Sequence, residues 1–496
     1  MDLREKLRGY VEKFNALDEE TCVQAIPNAR AYEWLAENIP LLECPDAALE
    51  ETYYFRWWTY RKHLKDTPDG HIVTEFLPSV PWAGLHNSIN CACSHHVREG
   101  RWLRDEAGWL KEYIRFWLAE KGSSYAYAMW LGTAVEDYCR LRGDWDFAVE
   151  CLDGLIRLYE GREARSLEAC GLYWASDNRD GMEYSIGGSG LRPTISCYQY
   201  GDATAISRIA ARAGKTDVAE AYAQKAAALR EAVDRLLWDG DFYRTLPCEK
   251  GEGAFSARPE VEAAHRVREL VGYIPWYFGL PRPGKEDAFG QLTDPNGFFA
   301  PWGLTTAEQR HPRFMFRHEH ECLWNGPVWP FATSQVLTAA ARVLREYPAT
   351  DVFTRQDYWT LLRQYALSHR LRGEDGRFVP WIDEDMNPYT GDWIARSELM
   401  RDGWQERRGG YERGRDYNHS TFCDLVLSGL LGIDADADGL VCRPLVPDSW
   451  RAFRVEGVYH AGQRWTIEYR DGAVGRLSLH PVAAGRQCRQ PLTAAE

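Results

Sequence analysis

Three things are scarce in this 496-residue chain. No apolar run approaches the roughly 20 residues a helix needs to cross a bilayer, and the amino end, MDLREKLRGYVEKFNALDEE, reads as a charged helix without the apolar core of a secretory leader. Cationic surplus is missing: 59 Lys and Arg against 73 Asp and Glu give a net charge of −14, with no basic stripe to neutralise phosphates. Paired metal ligands are missing too. Cys91 and Cys93 precede His95 and His96, but no second pair follows at zinc spacing, and DADADG, Asp434 to Gly439, is too short for a calcium loop. Nucleic acid and membranes are therefore poor partners and no metal or cofactor is expected. The thirteen scattered cysteines are expected as buried reduced thiols in a cytoplasmic protein.

Tryptophan, by contrast, is abundant: 21 residues beside 26 Tyr and 18 Phe. Many of them, Trp82, Trp174, Trp302, Trp324, Trp329, Trp381, Trp393 and Trp404, fall beside Gly, Pro or Asp in loop-like stretches. Flat aromatic faces with polar edges suit sugar rings, although core packing is the default for any single one.

Helical periodicity recurs along most of the chain. Val218, Tyr222, Ala226, Leu229, Val233 and Leu236 repeat at three or four, with Thr216 as a cap. Similar segments are expected at Ala47 to Leu64, Leu85 to Val97, Arg101 to Glu120, Ser124 to Leu141, Asp144 to Tyr159, Ile195 to Ala213, Val267 to Phe278, Gly326 to Tyr347, Arg355 to Leu371 and Asn418 to Leu431, after an N-terminal pair. Roughly a dozen helices joined by alternating short and long connections predict stacked helical hairpins, hence an all-α fold over residues 1–432. After Gly432 the pattern becomes short alternating stretches with HAG and RDG turns, which predicts a small antiparallel β appendage over 433–496, packed on the helical body.

The long connections carry the charge. SDNRDGMEYSIGG groups Asp177, Asp180 and Glu183 with Arg179, and Arg192 follows. FVPWIDEDMNPYTGDW sets Asp383, Glu384, Asp385 and Asp392 among aromatics, and HEHECLWNGPVWP puts Glu319 and Glu321 before a turn whose Pro327 suits a first helical position. Glycoside hydrolysis needs two carboxyl groups, one protonated to donate to the leaving oxygen and one ionised to activate water or attack the sugar. Aromatic neighbours exclude water and raise the acid's pKa.

WNGPVWP, Trp324 to Pro330, resembles the Trp-x-Gly-Pro-x-Trp segment of inverting six-hairpin glycosidases, a group that includes glycoside hydrolase family 63, trehalases and mannosylglycerate hydrolase-like enzymes. EDMNPYTG, Glu384 to Gly391, is similar to the segment whose Glu is that group's general base; DGMEYS, Asp180 to Ser185, resembles the segment of its general acid, with Glu183 where Asp is usual. The resemblance spans about residues 30 to 432. It implies an (α/α)6 toroid with Glu183 as acid, rivalled by Asp180 and Asp177, and Glu384 as base. A small α-linked gluco- or manno-configured glycoside is the implied substrate, with α-L-rhamnosides further off.

The expected substrate-binding set is Asp177, Asp180, Arg192, Trp82, Trp174, Trp324, Asn325, Gly326, Trp381, Trp393 and His419; Trp329, Tyr417, Asp202, Arg56, Glu75 and Asn87 are further candidates. Alternatives are a phosphorylase, which needs no carboxylate base, a sugar epimerase working through histidines, or an inactive carbohydrate-binding protein. The presence of both acidic loops favours hydrolysis.

Overall fold

The computed structural model describes residues 2–255, 257–402, 408–410, 412–470 and 478–481, with residues 402 and 478–481 described by backbone alone. Trp404 and most of the stretch after Arg470, including the RDG turn's last two residues, lie outside the described residues.

The helices form an (α/α)6 toroid. Ala47–Lys62, Asn90–Gly100, Pro193–Arg212 and Pro330–Glu346 are buried on nearly every face, as helices at the centre of a helical body must be. Trp145–Ser166 and Thr216–Leu236 bury a single stripe and present polar residues outward. Successive helices pair through tight turns: Gly214, at φ +71°, ends Pro193–Arg212, and Ser207 Oγ bonds the Ala219 carbonyl across the hairpin at 2.7 Å. The ring closes between sequence-distant helices, where the Thr52 hydroxyl of Ala47–Lys62 donates to the Ala366 carbonyl of Arg355–Ser368 at 3.1 Å.

Several helices start later than periodicity suggests. The turn at Asp105 and Gly108 delays one helix to Trp109–Leu118. Pro330, not Pro327, is the first residue of Pro330–Glu346, because Val328 is held extended by bridges to Thr305 and Met386. Val267 to Phe278 is a 3-10 turn over Leu270–Tyr273 followed by the single turn Ile274–Tyr277. The last segment becomes a wide helix only at Leu425–Leu430, and Ile394–Asp402 is a helix the periodicity did not indicate.

The β appendage is an antiparallel sheet in the order Leu41–Glu43, Ala452–His460, Gln463–Arg470, Ser478–Pro481. Its first strand comes from the N-terminal region, pairing Leu41–Glu43 with Arg454–Glu456. Ala461 and Gly462, both at positive φ, make the tight hairpin turn at HAG. His460 Nδ1 lies 2.7 Å from the Leu141 carbonyl, fastening the hairpin to the toroid. DADADG forms part of a separate hairpin, Ile433–Asp436 with Gly439–Cys442.

Candidate active site

The long loops converge on a cavity of about 520 Å³, a size suited to a small ligand. Backbone bonds join all three sequence motifs around it. The Trp324 amide donates to the Glu183 carbonyl at 3.0 Å, and Val328 and Met386 exchange two amide–carbonyl bonds of 2.9 Å. The motif residues are thus largely turn chemistry that aims carboxyl groups. Asn387 Oδ1 accepts the Tyr389 and Thr390 amides, and a side chain at Gly391 (φ +78°) would strike the Trp302 ring at 2.5 Å. Asp383 Oδ1 takes the Glu384 amide at 2.8 Å, while Asp385 Oδ1 takes that of Ala395 at the start of Ile394–Asp402.

Five carboxyl groups line the cavity: Glu75, Asp177, Glu183, Glu321 and Glu384. Glu183 sits between Gly181 and Tyr184, which both hold positive φ, unusual for a tyrosine. Burial pushes its carboxyl up to about 7 against the Cys322 thiol, which lies 3.0 Å from Oε2, and nearby Asp177 and Glu384 add to the rise. Glu384 is lifted by burial but opposed by Arg413, which forks onto it with Nε–Oε1 at 2.8 Å and Nη2–Oε2 at 3.2 Å. Glu321 is also buried, yet its own backbone, His320, Arg413 and Arg408 together hold it below the usual carboxylate range. Arg413 lies under Trp82, 4.7 Å from the ring centroid.

The floor is a hydrogen-bonded cluster. Glu75 Oε1 accepts the Tyr417 hydroxyl at 3.0 Å and lies 3.1 Å from His419 Nδ1, and the His419 ring stacks on Phe331 at 3.9 Å. Glu75, Cys91 and His419 are the one group among the described residues whose potential metal-ligand atoms all lie within 4.8 Å. Burial raises the Cys91 thiol well above its ordinary pKa, and Glu75 already has two partners. The cluster reads as a polar floor.

Of the residues singled out in the sequence, Trp82, Asp177, Glu183, Glu384 and His419 line the cavity, as do Glu75, Trp329 and Tyr417. The rest do not line it. Asp180 and Arg192 form a fully buried ion pair of 2.7 Å, which Thr194 and Ser185 complete. Trp174 bonds the Cys248 carbonyl, Trp393 the Arg370 carbonyl, and Trp381 packs under Arg396 and Arg415. Trp324 stacks beneath Trp329 with centroids 4.7 Å apart, and Asn325 is fully buried. A side chain on Gly326 would meet Met315 at 2.6 Å. Asp202 accepts the Thr133 amide, Arg56 bonds Ser420, and Asn87 closes a turn on Phe76 and Pro78.

Sequence reasoning missed Arg413, Arg408, His320, Cys322 and Tyr127, all on the cavity wall. The signal that existed for Arg413 was Gly414, where any side chain would overlap Asp383 Oδ1, a close approach of this loop to the Glu384 loop.

A helical toroid with a mouth of buried, unequally paired carboxyl groups among aromatics is a glycosidase architecture. The chain belongs to the mannosylglycerate hydrolase MGH1-like glycoside hydrolase domain family, whose profile matches residues 85–420. No curated protein matches the chain. Among solved structures it is similar to one described as a sialidase, at 37% identity and a TM-score of 0.86, over 96% of this chain and 43% of that one. It shares its fold with the GH78 rhamnosidase of Bacillus sp. GL1 (13% identity, TM-score 0.57, 89% and 41% covered) and with the Streptomyces avermitilis α-L-rhamnosidase (13%, 0.53, 90% and 37%). The chain thus spans less than half the length of these three proteins.

Proposed function

We propose that the protein hydrolyses a small α-linked glycoside with inversion, Glu183 protonating the leaving oxygen and Glu384 activating water. The observation that carries this reading is the unequal pairing of the two carboxyl groups. Among the described residues Glu183 has no cationic partner and burial pushes its carboxyl up to about 7, whereas Glu384, also raised by burial, is gripped by a guanidinium that opposes the rise. Divergent environments of this kind separate an acid from a base. Trp82 and Trp329 offer aromatic walls, and Asp177, Glu75 and His419 offer partners for sugar hydroxyls. Asp180, Arg192, Trp174, Trp324, Asn325, Gly326, Trp381 and Trp393 support these residues from behind.

A neutral sugar of gluco or manno type fits this cavity better than an anionic one. Among the described residues five carboxyl groups face two arginines, and both arginines engage Glu321, with Arg413 also holding Glu384. A sugar carboxylate entering here meets like charge, which disfavours the substrate that the similar sialidase's description suggests. A cytoplasmic setting belongs to this proposal, since the twelve cysteines among the described residues are free thiols and most are buried.

The test is proton NMR of the first product from α- and β-linked glucosides, mannosides, galactosides, rhamnosides and a sialoside. A β-sugar released from one neutral α-glycoside is the expected result. An α-product removes Glu384 from its role as base, and cleavage of the sialoside alone overturns the neutral-sugar reading. Release only when phosphate is added would make the protein a phosphorylase.

A further inference from the structure

We propose that Cys322 is a positioning residue for the acid, its thiol fixing the Glu183 carboxyl toward the cavity and donating to the carboxylate that proton transfer leaves behind. This rests on the reading of Glu183 as the acid. The Cys322 sulfur lies 3.0 Å from Glu183 Oε2, and both residues line the cavity. Two residues further on, the Trp324 amide holds the Glu183 carbonyl at 3.0 Å. One three-residue segment therefore grips both ends of a single glutamate. That segment is itself anchored: the Cys322 amide donates to His320 Nδ1 at 3.0 Å, and the Leu323 carbonyl accepts the Trp329 indole at 2.7 Å.

The choice of sulfur has a chemical logic. Burial and the adjacent carboxylates keep the Cys322 thiol protonated, so it acts as a donor and adds no charge. A thiol is a weak donor. It orients the carboxyl without stabilising the anion as an arginine or a backbone amide does, and so leaves Glu183 basic enough to keep its proton until the sugar takes it. In the reaction the proton moves from Glu183 to the glycosidic oxygen as the C–O bond breaks. The thiol hydrogen stays on sulfur and tightens onto the new carboxylate.

The experiment compares wild type, Cys322→Ala, Cys322→Ser and Glu183→Gln on two substrates of one sugar, an alkyl glycoside and a glycosyl fluoride. Fluoride departs without protonation, so only the alkyl glycoside calls on the acid. Losing the donor raises the proton affinity of Glu183, and the alkaline limb of kcat/KM for Cys322→Ala should move up by about half to one pH unit. Turnover of the alkyl glycoside should fall by about 5–20-fold while the fluoride changes less than about 2-fold, and Cys322→Ser should recover part of both. Equal losses on both substrates with an unmoved limb would show that Cys322 only packs. If Cys322→Ala does not fold, Cys322→Val, which keeps most of the volume and removes the donor, reads the limb and the substrate difference against wild type, and no difference in either overturns the role. Full activity in Glu183→Gln on the alkyl glycoside would instead sink the assignment of the acid, and this inference with it.

Discussion

Replacing Arg413 by Gln should disable the site without touching either proposed catalytic carboxyl. Arg413 gives Glu384 two charge-assisted bonds, at 2.8 and 3.2 Å, inside a buried wall. Each such bond is worth about 1.5–3 kcal/mol, and one pH unit corresponds to about 1.36 kcal/mol. Water entering the space left by the guanidinium recovers part of the loss, so the Glu384 pKa should rise by about one to two units. The base works when ionised, and its pKa sets the acidic limb of kcat/KM; the Glu183 carboxyl, pushed up to about 7, sets the alkaline limb. Raising the first toward the second closes the window in which ionised base and protonated acid coexist. At pH values below the wild-type acidic limb, kcat/KM should fall by about 10–100-fold, and the bell should narrow rather than slide. Initial rates from pH 4 to 9, at a temperature well below the variant's Tm, decide the matter. Arg413→Lys, which keeps the charge but not the fork, should lie between the two. An acidic limb that stays in place in Arg413→Gln, with rates near wild type, would refute the role given to this arginine and weaken that of Glu384.

Two further outcomes follow from the same geometry. Glu183→Gln should lose turnover of unactivated glycosides by about 10²–10⁴-fold and yet be more stable than wild type at pH 8. Because the folded pKa, about 7, stands above the ordinary 4.5, the group's contribution is fully present below about pH 4.5 and is lost as pH rises through 7, so thermal melts at pH 5 and 8 should show the variant's advantage only at pH 8, by about 1–3 kcal/mol. Gly391→Ala should cost about 1–3 kcal/mol in denaturant unfolding, since the residue holds φ +78° and a methyl would sit 2.5 Å from the Trp302 ring; an unchanged midpoint would mean that this turn does not constrain the Glu384 loop.

What the sequence made legible was local. Thr216–Leu236 announces itself because one apolar stripe repeats along its length. The two acidic loops could be read from their turn chemistry, glycines and Asn-Pro, while the choice of Glu183 and Glu384 among their carboxyl groups came from the resemblance of the motifs. The wall residues Arg413, Arg408 and Cys322 could not. Their neighbours in space are Glu384, Glu321 and Glu183, tens to more than a hundred positions away, brought together when the loops converge on the toroid's mouth. Tryptophan misled for a related reason: Trp324, Trp381 and Trp393 share the composition of Trp82, and nothing local says which aromatic face turns inward.

The same division explains how one mouth gives two carboxyl groups different surroundings. The motif turns fix where each carboxyl is, but the loops that periodicity could not place decide what each one is. The Arg413 loop brings a fork of cationic donors to Glu384, and Gly414 lets it approach Asp383 closely enough to do so. The Cys322 segment brings Glu183 an uncharged, weak donor and no cation. Exchanging those two neighbours, without moving either glutamate, would exchange the preferred charge of the two groups. On the proposed assignment, the roles of acid and base are set by the second loop that reaches each carboxyl, and variation in those loops is where the activity of such a toroid can change while its motifs stay the same.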